Sequence, residues 1–143
     1  MGCDKEFVRI FHVDDFDVKL RRFQSGAFSP SSEDGGISVF CAFCAERKSK
    51  SICSHIAQKY NDVASVPPIY WKFKRSDLPP SASIVQKTEN DDDCHHNVFQ
   101  MTKAQRRSIV RNRVEGDFQA CLQIGVQNVL IADLIEMKIM LDK

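Results

Sequence analysis

The chain opens on short apolar runs and closes on longer four-residue periodicities, so strands are expected early and helices late. "FVRIFHV" at residues 7–13 predicts a strand, and Asp14, Asp15 and Asp17 after it predict an acidic turn. "KLRRF" is a second, shorter strand candidate. "QSGAFSPSSEDGG", rich in Ser, Gly and Pro, reads as a loop, and "ISVFCAF" beyond it has the β-branched and aromatic content of a strand. Ile52, Ile56 and Tyr60 fall at i, i+4 and i+8, which predicts a helix over 51–60. In "IYWKFK", Ile69, Trp71 and Phe73 alternate with Tyr70, Lys72 and Lys74, the pattern of a strand buried on one face.

"SDLPPSAS" then reads as a loop, "IVQK" as a strand, "TENDDD" as a solvated acidic loop and "CHHNVF" as the last strand. Thr102 with Gln105 forms a capping-box pattern that starts a helix. Val110, Val114, Phe118 and Cys121 or Leu122 give that helix an apolar stripe, which Gly125 interrupts. From Val126 to Leu141, Val126, Leu130, Leu134, Met137 and Leu141 share one helical face, with Ile131, Ile135 and Ile139 beside them. A stripe that wide needs a cover: it closes over the chain's own sheet, or it meets a protein partner or a second copy in a homodimer. The expected architecture is α+β in a single domain over 1–143. A small mixed or antiparallel sheet occupies 1–112, and a helical C-terminal extension over 113–143 packs on it.

At 143 residues the chain can bury a core without metal or disulfides to hold it. Apolar residues make up 43% and charged residues 27%, with ten Phe to supply core volume, so disorder is not the default. A formal charge of +1 gives too weak a whole-molecule field to imply nucleic acid or membrane, and any nucleic-acid case must rest on a local patch. Neither a charged-then-apolar leader nor an apolar run of about 18 residues occurs, so no membrane span is expected and a cytoplasmic location is. Met1-Gly2-Cys3 is similar to acylated termini, but Glu6 stands where the myristoylation pattern has Ser or Thr. In a reducing compartment the six cysteines are expected as thiols or metal ligands, not bridges.

Four of the candidate ligands are close in sequence. Cys41, Cys44, Cys53 and His55 have the spacing C-x2-C-x8-C-x-H, with the donor types of a tetrahedral zinc site. The late Cys-x-His resembles the SWIM zinc finger, whose first pair is C-x-C, and the resemblance implies a zinc-dependent nucleic-acid-binding module. Local geometry opposes it. On a continuing strand Cys41 and Cys44 point to opposite faces, and on a helix Cys53 and His55 sit about 200° apart. The competing reading is that the cysteines are small buried hydrophobes. Cys94, His95 and His96 are further donors.

His95 and His96 follow three aspartates in a strand-like segment, so one is expected to point inward and the other outward. A histidine there can act as general base or hold a phosphate or ribose group. Arg21 and Arg22 precede Ser25, Ser29, Ser31 and Ser32, a setting for clamping an anion. Lys103, Arg107 and Arg111 at i, i+4 and i+8 make a basic stripe, with Arg106 and Arg113 near it, that suits a phosphate backbone, a protein partner or plain solvent.

Ala27, Phe28, Pro30 and Ser31, then Asp34, Ile37, Ser38 and Val39, then His95 or His96 with Val98, resemble the paired signatures of a scattered group of small bacterial α+β proteins without an established reaction. The resemblance spans about residues 7–110 and implies a compact α+β fold. Its order of Arg, Ser and a late polar residue is similar to that of small ADP-ribosyltransferase-like domains. That likeness implies NAD as cofactor, with Arg22 on phosphate, Ser38 on the nicotinamide ribose and His95 or His96 positioning substrate. Three functions are therefore expected: first, a protein-interaction component of a bacterial defence or toxin–antitoxin type system; second, a nucleotide- or NAD-binding enzyme; third, a zinc module.

Overall fold

Two neighbouring strands in the middle of the sheet, Glu6–Phe11 and Ile37–Cys41, bury apolar side chains on both faces. The structure, a computed structural model, describes residues 6–30, 35–59, 68–86, 94–114, 116–122 and 125–141. Its strands are β1 (Glu6–Phe11), β2 (Phe16–Asp17), β3 (Arg22–Phe23), β4 (Ile37–Cys41), β5 (Ile69–Lys74), β6 (Ser83–Gln86), β7 (His95–Phe99), β8 (Phe118–Leu122) and β9 (Gly125–Asn128). Its α-helices are α1 (Ala42–Ser49), α2 (Ile52–Lys59), α3 (Lys103–Arg111) and α4 (Ile131–Leu141). Seven strands pair antiparallel in the order β6-β7-β4-β1-β5-β8-β9, and β2 and β3 form a separate short ribbon. The fold is a single compact α+β unit.

Register assigns the side chains to faces. Phe7 opposes Cys41 and Phe73, Arg9 opposes Trp71, and Val39 opposes His96, so these share one face. Val8 opposes Phe40 and Lys72, Ile10 opposes Tyr70, and Ser38 opposes Asn97, so these share the other. The first face carries the larger core. Phe23 of the ribbon lies 4.9 Å from Phe11 and 5.0 Å from Phe118 between ring centroids. Phe28, from a single 3-10 turn over Ser25–Phe28, meets Trp71, and Ile109, Val110, Val129 and Leu134 complete the cover. On the second face α1 and α2 lay Ala42, Ala45, Ile52 and Ile56 over Val8 and Tyr70.

This second cover corrects the one-sided reading of β5. Tyr70 is only 1% exposed, and burial first, with the Glu46 charge second, pushes its phenol from 10 up to about 12. A second correction concerns "ISVFCAF". The strand ends at Cys41, whose Sγ caps α1 by accepting the Cys44 N–H at 3.4 Å. The capping box at Thr102 is present in both halves, at 3.1 and 2.9 Å, and α2 covers the predicted helical stretch as far as Lys59. The "TENDDD" loop, Tyr60 and Ser31 lie outside the described residues.

The largest difference is at the C-terminal end. The long helix expected after Thr102 stops at Arg111, and the region read as a helical extension contributes β8 and β9 to the same sheet. Gly116 takes a φ of +95°, which a side-chain-bearing residue resists, and the Asp117 carboxylate accepts the Val114 N–H at 2.8 Å. The chain thereby turns into β8, where Phe118 and Ala120 point inward with period two. The four-residue stripe from Val110 to Cys121 was the sum of one helical end and one strand. α4 seats buried Leu134, and Lys138 Nζ donates to the Asp14 carbonyl at 3.0 Å with the Asp14 carboxylate at 3.7 Å. No described helix is long and apolar enough to cross a membrane.

A disulfide joins Cys53 of α2 to Cys121 of β8, with Cα atoms 5.3 Å apart and a sequence separation of 68. It overturns the expectation that every cysteine is a thiol or ligand, while Cys41, Cys44 and Cys94 are buried thiols. Closing so long a loop restricts the unfolded chain, so Cys53→Ser with Cys121→Ser should lower unfolding free energy by about 2–4 kcal/mol. Urea titration with and without dithiothreitol checks this; equal midpoints would show that the bridge adds nothing.

Candidate functional site

Two of the sequence candidates, Ser38 and His95, meet on the face that α1 and α2 only partly cover. Ser38 sits in the middle of β4, opposite Asn97 of β7, and His95 lies two residues from Asn97 on the same face. Ser38 and His95 are therefore diagonal neighbours across an antiparallel pair, a spacing that a long side chain can span. The imidazole spans it: Ser38 Oγ and His95 Nε2 are 2.6 Å apart. His95 stacks on the Phe40 ring at 5.3 Å, and His55 of α2 meets the same ring edge-on at 5.4 Å. Phe40 thus fixes the imidazole plane from one side while the hydroxyl fixes its direction.

Burial grades across this face. Phe40, His55 and Asn97 are buried, Ser38 and His95 are half-buried, and Val85, which opposes Asn97 from β6, is 49% exposed. The pair stands at the margin where the helical cover ends and solvent begins. In the tautomer with its proton on Nδ1, His95 Nε2 accepts the Ser38 O–H, the arrangement of a hydroxyl nucleophile and its base.

Ser38 is held from behind by a residue absent from the sequence-based candidates. The β1–β4 ladder registers at Phe7–Cys41 and Val8–Phe40, and Arg9 follows, on the large-core face. Its guanidinium donates to the Ser38 carbonyl at 2.8 Å and to the Ala27 carbonyl at 2.9 Å, with Phe28 beneath it at 5.9 Å. One fork thus replaces ladder bonds for two chain segments that do not pair with each other. The signal was present in "FVRIF": an arginine at an inward position between Phe7 and Phe11. Gly36 is the other silent contributor. A Cβ there would stand 2.6 Å from Asn97 Cβ and 2.9 Å from the Phe99 ring, so only glycine lets β4 start beside the buried Asn97.

His96 does not share the site. It points to the opposite face, buried, with its ring edge-on to Phe7 at 5.5 Å and Nδ1 3.0 Å from the Cys94 carbonyl. The expected alternation of the two histidines is what the strand delivers, and it assigns His96 to packing. Zinc ligation is not assembled: Cys53 is in the disulfide, Cys41 caps α1, and His55 is packed on Phe40. Among the described residues no group of three His, Cys, Asp or Glu is placed to hold a metal.

Arg22 is also separated from Ser38. Its neighbour Phe23 packs on the large-core face, so the ribbon carries Arg22 on the far side of the sheet from the Ser38 side chain. An NAD molecule gripped by Arg22 and Ser38 together does not fit that placement. Arg21 is exposed in the turn before β3 with a φ of 55°. Lys103, Arg107 and Arg111 run along α3 as expected, the first and last exposed.

Arg9→Met keeps the aliphatic stem but leaves two inward carbonyls without their donors. It should cost about 1.5–3 kcal/mol of stability, and Arg9→Lys, which has the charge without the fork, should recover only part. Chemical denaturation of the three proteins checks the order, and equal stability of Arg9→Met and the parent would remove Arg9 from this role.

No protein-family model matches the chain, and neither a curated protein nor a solved structure shows detectable similarity to it.

Proposed function

We propose that the chain is a small hydrolase acting by acyl transfer, with Ser38 as nucleophile and His95 as general base. The observation that carries this reading is the 2.6 Å contact between Ser38 Oγ and His95 Nε2 at the solvent margin of the sheet. Ser38 Oγ attacks an ester carbonyl as its proton passes to His95 Nε2. The imidazolium then returns that proton to the departing alkoxide, and an acyl-serine remains. Water attacks the acyl carbon, gives its proton to His95, and Ser38 leaves as the acid product is released with the proton restored to Oγ. The Arg9 fork supports the reading by fixing the backbone of the nucleophile, and the Phe40 stack supports it by fixing the base.

A fluorophosphonate probe at pH 8 should label Ser38 in the intact protein, as peptide mass mapping would show. Labelling should vanish in Ser38→Ala and slow by about 100-fold or more in His95→Gln. Labelling spread over other serines, or an unchanged rate in His95→Gln, would sink the proposal.

A second reading keeps the interaction protein, because α4 exposes apolar side chains its own core does not use: Met140 is 68% and Ile139 50% exposed, with Leu141 beside them. A protein partner or a second copy of the chain would cover them. Light scattering at about 50 μM should then show a dimer that Met140→Glu dissociates; a monomer of unchanged mass for both proteins counts against self-association.

A further inference from the structure

On the far side of the sheet from Ser38, the β2–β3 ribbon and the C-terminal end of α3 border an open cavity of about 240 Å³. Asp17, Leu20, Arg22, Gln24, Ser25 and Arg111 line it. Two arginines line it from separate elements, Arg22 beside the buried Phe23 and Arg111 beside the buried Val110. Among the described residues neither arginine has an ion-pair partner. Asp17, the one carboxylate in the wall, has Oδ1 occupied by the Leu20 N–H at 3.0 Å. The walls therefore hold two cationic residues against one anionic one, together with a hydroxyl and a side-chain amide.

We propose that this cavity binds the terminal phosphate of a small phosphomonoester. A phosphate has enough acceptor oxygens to meet both arginines and the Ser25 hydroxyl, and the net positive charge of the walls attracts an anion. The volume sets the size. Sites for whole drug-sized ligands occupy about 300–1,000 Å³, so this cavity takes the phosphoryl group and the first few atoms behind it. The rest of the ligand lies outside, over the ribbon tip, where Lys19 and Arg21 are exposed. The site is independent of the Ser38–His95 pair, since the sheet separates them.

The test is a titration of the isotope-labelled full chain with inorganic phosphate and with glycerol phosphate, followed by amide and arginine side-chain resonances. Saturable shifts are expected at residues 20–25 and at Arg111. Arg22→Gln and Arg111→Gln should each weaken binding about tenfold or more, and Lys74→Gln, on an exposed position away from the cavity, should leave it unchanged. Arg111 is exposed at a helix end, so its substitution stays informative if the Arg22 variant folds poorly. Shifts that never saturate, or that respond to Lys74→Gln as they do to the arginine variants, overturn the proposal. So does a chain that binds a single-stranded oligonucleotide but neither phosphate compound, with Lys103→Gln weakening it as much as Arg111→Gln.

Discussion

The fork between Arg9 and the carbonyls of Ser38 and Ala27 is the contact on which both candidate sites lean. It lies where the β1–β4 ladder opens, and without it two backbone acceptors would face an aromatic core with no donor. Holding Ala27 keeps the Ser25–Phe28 turn against Trp71, and that turn is the floor on which α3 rests. Holding Ser38 keeps the strand segment that presents its hydroxyl to His95. A charge spent inside the sheet thus fixes one site on each side of it, through carbonyls and not through side chains.

Coverage of the sheet is unequal, and the inequality places the chemistry. The large-core face buries Phe7, Phe11, Trp71, Phe73 and Phe118 under the ribbon and two helices, and His96 there is paired with the Cys94 carbonyl. The opposite face has two short helices, which reach Val8, Tyr70 and Phe40 but leave Val85 half in solvent. The disulfide from α2 to β8 pins those helices toward β5 and β8, away from the β6–β7 edge. A polar pair at that edge is dry enough for a short hydrogen bond and wet enough to be reached.

The strands at 6–11, 69–74 and 95–99, the capping box and the split of His95 from His96 were legible because each follows from a local period or a local hydrogen bond. The β8–β9 hairpin was not, since Val110, Val114, Phe118 and Cys121 satisfy a helical spacing that only the turn at Gly116 and Asp117 breaks. The start of α1 was hidden because its cap is a cysteine thiol, a poor signal beside Ser, Thr, Asp or Asn. The Cys53–Cys121 bridge was invisible for another reason: pairing across 68 residues depends on the fold, and spacing alone leaves every connectivity open.

Arg22 and Ser38 show why a shared order along the chain is weak ground for a shared site. Their separation in sequence is short, yet β3 belongs to a ribbon lying over one face while the Ser38 side chain leaves β4 by the other. A single-residue change in register at β4 would reverse that side chain and bring Val39 to the solvent margin in its place. The Phe40–His95 and Val39–His96 pairings, the apolar demand of the larger core for Val39, and the close passage of Gly36 beside Asn97 all forbid that slip. What decides which histidine meets the serine is therefore the packing of its neighbours, and the chemistry of the pair is inherited from the register of the strand.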